Sequence, residues 1–544
     1  MSTCSEISYI TFKSFGSELT IREREGAMLT KDCKIPAGLP KTTESLCPEC
    51  LQIIPATMRD DNGKVVMEKS CPKHGKFRDV IWSDTEMYLK TEKWARDGVG
   101  VVDPAIPKAK QCPFDCGLCD LHLSHTALAN VDLTNRCNLK CPICFANANA
   151  AGYVYEPDFD TIIAMLRLLR NQKPVPCPAV QFSGGEPTIH PRFVDIIREA
   201  GKMGFAQVQA ATNGIEFARN LEFCKAASDA GLNTLYLQFD GLRSDIYKRA
   251  RGKDLLEIKQ KVVDNFRKLE NHPSIVLVPT IVKGVNDDQV WPILEYALKN
   301  MDVVRGVNYQ PVAFTGRITH EELEKGRYTI PDLIHDIERQ SGGMVKATDW
   351  YPPSTVTPVS ELVSTIASRD MVTFTTHVHC GMATYLFVKD EKNVIPLTRF
   401  VNVEGLFSEM HELAEKREGK KIQTITKIKA FNMIKRHLVK ENMPDDMNVV
   451  DFLKVLRGVF SEDTKKSLSK FSWKMMYVGA MHFQDAYNYD VERVKRCSIH
   501  YATPDMKIIP FCAYNSGPVY RTGVEKRFSV PLEEWRKKHG DEYT

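Results

Sequence analysis

Six apolar segments between residues 128 and 316 have the pattern of β-strands, and segments with helical spacing follow them. The strand-like segments are LANVDLT, AVQFSG, FAQVQAATNG, LNTLYLQFDG, SIVLVPTIVKG and VVRGVNYQPV. Near-continuous apolar strands that alternate with amphipathic helices are typical of parallel β/α units whose sheet is covered on both faces. The sequence therefore predicts an α/β fold, with a partial, TIM-like (β/α)6 barrel over residues 126–318.

Sixteen cysteines are the unusual feature of the composition. The start of the sequence has no apolar run of signal-peptide length, and no run approaches the ~20 residues that a bilayer crossing needs. We therefore expect a cytoplasmic protein whose cysteines are metal ligands or buried thiols instead of disulfides. The net charge of +4 gives no reason to expect a nucleic-acid partner. Four isolated cysteines are expected to be structural, namely Cys4, Cys33, Cys177 and Cys224.

The motif CNLKCPIC follows the first predicted strand directly and contains Cys137, Cys141 and Cys144. Parallel β/α folds gather their chemistry at the carboxyl ends of the strands. Three closely spaced thiolates can hold an iron–sulfur cluster and leave one iron free for another ligand. The alternative is a structural zinc site that takes a distant fourth ligand.

The other predicted strands also end in small or polar residues. The second ends in SGGEP, where glycines permit a close approach to the backbone and Glu186 can accept hydrogen bonds from an ammonium group. The third, fourth and fifth strands end near Asn213, Asp240 and Asn286. Five such endings at one sheet edge predict a bound cofactor there.

These motifs resemble those of the radical S-adenosylmethionine (SAM) superfamily. The resemblance implies that the CxxxCxxC cysteines bind a [4Fe–4S] cluster whose open iron chelates SAM. It also implies that an electron cleaves SAM to a 5′-deoxyadenosyl radical, which abstracts hydrogen from carbon. By the same resemblance the methionine end of SAM is held by Gly184, Gly185, Glu186 and Pro187, and the pocket is lined by Asn213, Asp240 and Asn286. Ile143 stands where that family often has an aromatic residue.

Residues 40–80, after an N-terminal extension over 1–39, contain a CxxC…CxxH pattern. Its members are Cys47, Cys50, Cys71 and His74. Two short knuckles with four nitrogen and sulfur ligands suit a tetrahedral zinc ion or a single iron. Cys33 is the alternative to His74 as the fourth ligand.

Six further cysteines form two groups. One group lies in residues 105–125 (Cys112, Cys116 and Cys119), and the other in the C-terminal region 340–544 (Cys380, Cys497 and Cys512). We expect one or two auxiliary [4Fe–4S] clusters from them. Because two fully coordinated clusters need eight ligands, one cluster has an open iron, or Cys177 joins, or only one cluster forms. The Gly/Pro/Thr-rich segment 340–360 is predicted to be a linker.

The order of these motifs, with PLTRFVNVEGLF at 396–407, resembles one archaeal-centred subfamily, the tetraether lipid synthases and their methanopterin-modifying relatives. This resemblance implies carbon–carbon coupling of diether lipid tails, with the first lipid radical held on an auxiliary cluster. It also implies a mononuclear iron in the N-terminal knuckle and an electron donor such as ferredoxin. The alternatives are a methyltransferase acting on a methanopterin-type pterin and a non-enzymatic iron–sulfur electron carrier. No DxHxxG segment is recognisable, so a corrinoid methyl donor is not expected.

Residues 419–440 have the pattern of a basic amphipathic helix. Its apolar positions are Ile422, Ile425, Ile428, Phe431, Ile434 and Leu438. Such a helix can lie on the inner face of a membrane, in keeping with a lipid substrate. It can equally pack on the protein's own core.

Overall fold

The computed structural model describes residues 30–318, 326–367, 370–417, 423–443, 475–516 and 520–541. The strands are β1 Thr30–Asp32, β2 Lys41–Leu46, β3 Ile53–Asp61, β4 Lys64–Cys71, β5 Gly75–Trp82, β6 Arg96–Gly98, β7 Leu128–Thr134, β8 Tyr153–Tyr155, β9 Ala179–Gly184, β10 Gln207–Thr212, β11 Thr234–Gln238, β12 Ser274–Val278, β13 Thr280–Ile281, β14 Val304–Pro311, β15 Gly381–Asp390, β16 Asn393–Pro396, β17 Met475–Met481, β18 Ile499–Ala502, β19 Ile508–Pro510 and β20 Ser529–Pro531. The α-helices are Thr85–Thr91, Phe159–Arg170, Phe193–Lys202, Ile215–Arg219, Leu221–Asp229, Ser244–Arg251, Leu256–Arg267, Val290–Lys299, Ile330–Gln340, Thr357–Ala367, Val403–Arg417, Gln423–Arg436, Val491–Lys495, Phe511–Asn515, Arg521–Arg527 and Leu532–His539.

The predicted barrel is confirmed. The six predicted strands are β7, β9, β10, β11, β12 and β14, and each pairs in parallel with the next in that order. Strands from the C-terminal region extend the same sheet at both edges, because β17 pairs in parallel with β14 and β18 with β7. The sequence pattern did not predict this extension.

The two faces of the barrel strands differ sharply in character. Outward side chains such as Val131, Phe182 and Leu237 join one hydrophobic core with helix residues such as Ile162 and Val262. Because side chains alternate along a strand, the intervening residues face the lumen of the barrel. We call these the lumen positions: Leu128, Asn130, Asp132, Thr134, Ala179, Gln181, Ser183, Gln207, Gln209, Ala211, Thr234, Tyr236, Gln238, Ser274, Val276, Val278, Gly306, Asn308 and Gln310.

Residues 41–82 form a four-stranded antiparallel sheet in the order β2-β3-β4-β5. Cys47 and Cys50 lie in the connection between β2 and β3. Cys71 ends β4, and His74 lies in the turn before β5. Antiparallel pairing of β4 with β3 brings the two knuckles together at one end of this sheet.

The predicted linker at 340–360 is wrong. Trp350 in this segment is only 3% exposed. The carboxylate of Asp349 accepts hydrogen bonds from Arg399 Nε at 2.9 Å and Nη2 at 2.7 Å. The prolines and threonines of this segment lie in short 3-10 turns, and the segment packs against the C-terminal strands.

The helix Gln423–Arg436 packs on the helices Thr357–Ala367 and Val403–Arg417 through Ala430, Met433 and Ile434. The face of this helix that is buried therefore differs from the predicted apolar face. Ile434 and Leu438 are buried, but Ile425, Ile428 and Phe431 are 44%, 56% and 40% exposed, and Ile422 lies outside the described residues. No helix in the described part of the chain has both the length and the apolar character to cross a bilayer.

Candidate functional site

The loop that carries CNLKCPIC follows β7 and is held in shape by contacts that the sequence analysis did not find. Asn149 Oδ1 accepts from the Cys137 backbone N–H at 2.9 Å, and Asn149 Nδ2 donates to the Cys137 carbonyl at 2.6 Å. From the far side, Arg317 Nη1 donates to the Cys141 carbonyl at 3.1 Å. The Arg317 backbone N–H donates to the Cys144 carbonyl at 3.1 Å. The loop that follows β14 therefore fixes the cysteine loop.

The glycines of SGGEP are required by the backbone of the cysteine loop. A Cβ atom on Gly184, whose φ is +123°, would lie 2.2 Å from the Thr134 carbonyl oxygen. One on Gly185 would lie 2.1 Å from the Arg136 carbonyl oxygen. The Gly185 and Glu186 N–H groups donate to those same two carbonyls at 2.7 and 2.9 Å. The motif alone predicts glycines that permit a ligand to approach, and in the structure they let the end of β9 lie against the start of the cysteine loop.

Glu186 is 1% exposed and links the ends of β9 and β10. Its Oε1 accepts from Thr188 Oγ1 at 2.6 Å and Thr212 Oγ1 at 2.7 Å, and its Oε2 accepts from the Asn213 N–H at 2.8 Å. Burial raises the pKa of Glu186, and these donors oppose the rise. The carboxylate is thus preorganised at the strand ends, with Oε2 still able to accept a second hydrogen bond.

Asn213 brings the end of β10 to the cysteine triad. Its Nδ2 donates to Asn138 Oδ1 at 2.7 Å and lies 4.0 Å from Cys137 Sγ. Asn286 has a different place, because its Nδ2 donates to the Asp240 and Thr280 carbonyls at 2.9 Å each. Asn286 therefore braces the strand ends, and its predicted pocket role stays a prediction.

Asp240 acts through Arg251, a residue that the sequence analysis missed. Asp240 is fully buried and accepts from Arg251 Nε at 2.7 Å and Nη2 at 2.8 Å. Burial disfavours the charge of Arg251, but Asp240 raises its pKa above the ordinary value. Burial raises the pKa of Cys141, and the guanidinium of Arg251 opposes that rise. Arg251 thus supplies positive charge to the thiolates that a cluster requires.

Buried Lys259 supplies a second cation beneath the triad. Its Nζ donates to the Asn213 carbonyl at 2.5 Å and to Gln238 Oε1 at 3.1 Å. Burial lowers the pKa of Lys259 to about 8. Three clustered thiols, a fixed carboxylate and two cations at one sheet edge suit an anionic iron–sulfur cluster with a zwitterionic ligand, so the residues present fit the cofactors.

Substitution of Glu186 by Gln should weaken SAM binding about tenfold or more. An amide NH2 would face hydroxyl and N–H donors, and a charge-assisted bond of ~1.5–3 kcal/mol to an ammonium group would be lost. SAM affinity of the reconstituted protein measures the effect, and cluster iron content should stay normal. Glu199→Gln, which changes an exposed helix carboxylate, is the matched control. An unchanged SAM affinity in Glu186→Gln would contradict the predicted role.

The N-terminal knuckles have the geometry of a mononuclear metal site. The ligand atoms of Cys47, Cys50, Cys71 and His74 all lie within 4.8 Å of one another. His74 Nδ1 lies 3.5 Å from Cys47 Sγ and 3.6 Å from Cys71 Sγ, and Cys50 Sγ lies 3.9 Å from Cys71 Sγ. Metal–sulfur bonds of ~2.3 Å in a tetrahedron place ligand atoms roughly 3.8 Å apart. Cys33 lies elsewhere, beside Asp97 and Arg496.

The Cys71 thiol is prepared for metal binding. The Lys73 backbone N–H lowers the pKa of Cys71 to about 6, with further contributions from His74. We expect Cys71→Ser to remove one metal equivalent while SAM-dependent deoxyadenosine formation persists, because the knuckle lies outside the barrel. Elemental analysis for zinc and iron beside a cleavage assay makes the measurement. Loss of SAM cleavage in a folded Cys71→Ser protein would contradict this separation.

The six remaining grouped cysteines lie in two neighbouring triads. In the first, Cys112 raises the pKa of Cys116 most strongly, and Cys119 contributes as well. In the second, burial and then the Cys512 and Cys380 thiols raise the pKa of Cys497. Cys177 is not a member of either triad, since its thiol is fully buried and donates to the Ala179 carbonyl at 3.2 Å.

The surroundings of the triads suit metal-bound sulfur. Arg493 Nε donates to Cys380 Sγ at 3.4 Å, and the Gln484 N–H donates to Cys512 Sγ at 3.4 Å. Tyr489 lies beside Cys112, Cys116 and Cys512, is 1% exposed, and has a buried hydroxyl without a partner among the described residues. An unpaired buried donor is costly, and cluster sulfur would accept its hydrogen bond. Auxiliary clusters therefore fit, and the residue assignment stays a prediction.

Two family models match this chain. A model of the radical SAM superfamily matches residues 131–297, which run from β7 through β12 and include the cysteine loop, whereas β14 lies beyond the match. A model described as the HMPTM N-terminal zinc ribbon domain matches residues 39–83, which coincide with the sheet β2–β5. The solved structure of Streptococcus suis SuiB bound to S-adenosylmethionine aligns over 40% of this chain and 47% of that chain, with 16% identity and a TM-score of 0.33.

One relative spans almost the whole chain. The 7,8-dihydro-6-hydroxymethylpterin dimethyltransferase of Methanocaldococcus jannaschii is 46% identical over 503 residues, which cover 92% of this chain and 98% of that protein. The GTP 3',8-cyclase of Limosilactobacillus fermentum is 27% identical over 232 residues, 41% of this chain and 63% of that protein. This chain therefore belongs to the family of the M. jannaschii dimethyltransferase within the radical SAM superfamily, and it is a radical SAM enzyme that uses a [4Fe–4S] cluster and SAM.

Proposed function

We propose that this enzyme methylates a reduced pterin of the 6-hydroxymethyl-7,8-dihydropterin type. Two observations support the proposal. The M. jannaschii pterin dimethyltransferase matches 92% of the chain, and residues 39–83 match the HMPTM N-terminal zinc ribbon domain. The stronger support for the proposal is the chemistry of the barrel lumen. A radical SAM core presents its substrate to the cluster in this lumen.

The lumen is lined by amides. Seven of the lumen positions are Asn or Gln, namely Asn130, Gln181, Gln207, Gln209, Gln238, Asn308 and Gln310. Apart from Leu128, at the amino end of β7, none of the lumen positions on these six strands is Leu, Ile, Phe, Met or Trp. Amides present one donor group and one acceptor each without charge. This surface suits a flat, neutral heterocycle with several hydrogen-bonding edges.

A lipid tail needs a different surface. Each buried methylene gains ~0.8 kcal/mol only when it leaves water for an apolar environment, and burying amides without partners is costly. The predicted coupling of diether lipid tails is therefore not supported, and membrane contact through the helix Gln423–Arg436 stays a prediction. The pterin alternative fits both the lumen and the relative.

In the proposed reaction, a C–H bond of the pterin breaks and a C–CH3 bond forms as a methyl donor, such as a second SAM, releases its methyl group. The hydrogen leaves in 5′-deoxyadenosine, and two electrons from the reductant balance the exchange. When bound, the cluster and SAM supply the hydrogen abstraction that makes this carbon reactive toward a methyl group. The chain's part is to hold the pterin in the lumen, below the strand ends that carry Glu186 and Asn213, and to fix the cysteine loop through Arg317. An electron donor of ferredoxin type would reduce the cluster.

Product analysis tests the proposal. Reconstituted enzyme, dithionite, SAM with a deuterated methyl group and 6-hydroxymethyl-7,8-dihydropterin should yield 5′-deoxyadenosine and a methylated pterin. The mass of the product reports whether SAM or another donor supplies the methyl carbon. A parallel reaction with archaeal diether lipid in place of the pterin should give no coupled product. Coupled lipid with no methylated pterin would overturn the proposal.

A further inference from the structure

Two buried amides in the lumen are only half paired. Asn130 on β7 and Gln181 on β9 are register neighbours, and Gln181 Nε2 donates to Asn130 Oδ1 at 2.9 Å. Asn130 is 1% exposed and Gln181 is 9% exposed. Within the described ranges, Asn130 Nδ2 and Gln181 Oε1 are buried and have no hydrogen-bond partner.

The pair therefore offers one free donor and one free acceptor side by side. Reversing the orientation of both amides exchanges the two atoms but leaves the same pair of functions. A buried polar atom without a partner costs roughly as much as a lost hydrogen bond, and most such atoms in proteins have a partner. A group that enters the lumen with the complementary acceptor and donor satisfies both.

The neighbouring side chains define what that group can be. In the row above the pair, Ser183 Oγ donates to Asp132 Oδ1 at 2.7 Å, and Arg521 Nη1 donates to Asp132 Oδ2 at 2.8 Å. This row is satisfied and its charges are paired, so the lumen beside the amides favours a neutral ligand. Gln209, half-buried on β10, is the register neighbour of Gln181 on the open side.

We propose that Asn130 and Gln181 form the subsite that recognises the pyrimidinone edge of the pterin. In this subsite the ring N3–H donates to Gln181 Oε1, and the 4-oxo group accepts from Asn130 Nδ2. The terminal amide torsion of Gln is soft, so its free oxygen can turn toward a ligand that lies beside Gln209. This assignment rests on the proposed function, because it takes the ligand to be a pterin.

Binding measurements on the cluster-loaded enzyme test the subsite. The probes are 6-hydroxymethyl-7,8-dihydropterin and 2,4-diaminopteridine, which has an amino group in place of the 4-oxo group and lacks the N3–H. The double variant Asn130→Leu/Gln181→Met keeps approximate size and removes both bonds. We expect it to bind the pterin roughly thirtyfold more weakly and to lose the preference for pterin over diaminopteridine.

Gln172→Met is the matched control. Among the residues that the structure describes, the Gln172 amide also has no hydrogen-bond partner, but it lies in the loop after the helix Phe159–Arg170, outside the lumen. Its replacement should leave the affinity for both probes unchanged. Asn130→Asp is the second variant, and it remains informative if the double variant does not fold. Its carboxylate still accepts from Gln181 Nε2, repels the 4-oxo group of the pterin and accepts from the 4-amino group of the diaminopteridine, so the preference should shift toward the diaminopteridine.

The outcomes separate the two proposals. A wild-type enzyme that binds no pterin would overturn the proposed function and the subsite with it. A wild-type enzyme that binds and methylates the pterin, combined with unchanged affinity and preference in folded lumen variants, would overturn the subsite alone. Loss of preference in the double variant or its shift toward the diaminopteridine in Asn130→Asp supports the subsite, because a general weakening of the fold would affect both probes equally.

Discussion

Simultaneous replacement of Cys137, Cys141 and Cys144 by Ala is expected to abolish SAM cleavage completely. The three thiols lie at the end of β7, beside Asn213 and the fixed carboxylate of Glu186. Without them no cluster can hold SAM at the strand ends. Iron and sulfide content should fall by one [4Fe–4S] cluster, and 5′-deoxyadenosine should be absent from reduced reactions.

Two controls make this result specific. Cys33→Ala changes a half-buried thiol outside every cysteine group and should leave cleavage intact. Thermal unfolding of the triple variant should show a folded protein, because the barrel core consists of strand and helix residues away from the loop. Deoxyadenosine formation by the folded triple variant would show that another triad binds SAM.

The barrel could be predicted from sequence because its determinants are local. Each of the six barrel strands carries apolar residues at its outward positions, and the helices bury one apolar stripe, as the helix Phe159–Arg170 does with Ile162, Leu166 and Leu169. The extension of the sheet by β17 and β18 could not be predicted in this way. Its pairings join segments hundreds of residues apart, and no periodicity within a segment specifies its partner.

The site residues that belong to a motif with fixed sequence spacing were predictable. The site residues that reach the site only through tertiary contacts were missed. CxxxCxxC and CxxC…CxxH are short-range patterns, and the structure brings the second one together. Arg251, Lys259 and Arg317 carry no such signal, because each lies far along the chain from the cysteines beside it. A buried charge within an amphipathic helix, as at Lys259, is a usable hint, since lysine is seldom fully buried without a partner.

The two auxiliary triads are expected to separate SAM cleavage from methyl transfer. We expect the triple Ser variants of Cys112/Cys116/Cys119 and of Cys380/Cys497/Cys512 each to lose one cluster equivalent and to stop forming methylated pterin. Deoxyadenosine formation should persist in both, because neither triad contributes to the strand ends around Glu186. Iron content, deoxyadenosine and pterin product are measured on the same soluble preparations.

The competing explanation is that both triads have a structural role only and hold the C-terminal region against the barrel. Several of these thiols are packed in one hydrophobic cluster with Tyr489, Tyr501 and Phe511, so their loss could loosen the sheet edge at β18. In that case cleavage and methylation would fall together, and the unfolding temperature would fall with them. A variant that leaves every cysteine in place is needed to separate a chemical role from a structural one.

Tyr489→Phe is that variant. Removing a buried hydroxyl that has no partner in the described part of the chain costs little stability, because no hydrogen bond to these residues is lost. A hydroxyl that donates to cluster sulfur stabilises the reduced cluster, so its removal should lower the cluster's reduction potential by about 40 mV, the equivalent of ~1 kcal/mol. Redox titration followed by electron paramagnetic resonance measures this change. Tyr520→Phe is not a suitable substitute, since that hydroxyl accepts from the Cys116 N–H at 3.1 Å. A folded Tyr489→Phe protein with an unchanged potential would mean that this hydroxyl faces no cluster, and the assignment of Cys112, Cys116 and Cys512 as cluster ligands around it would fall.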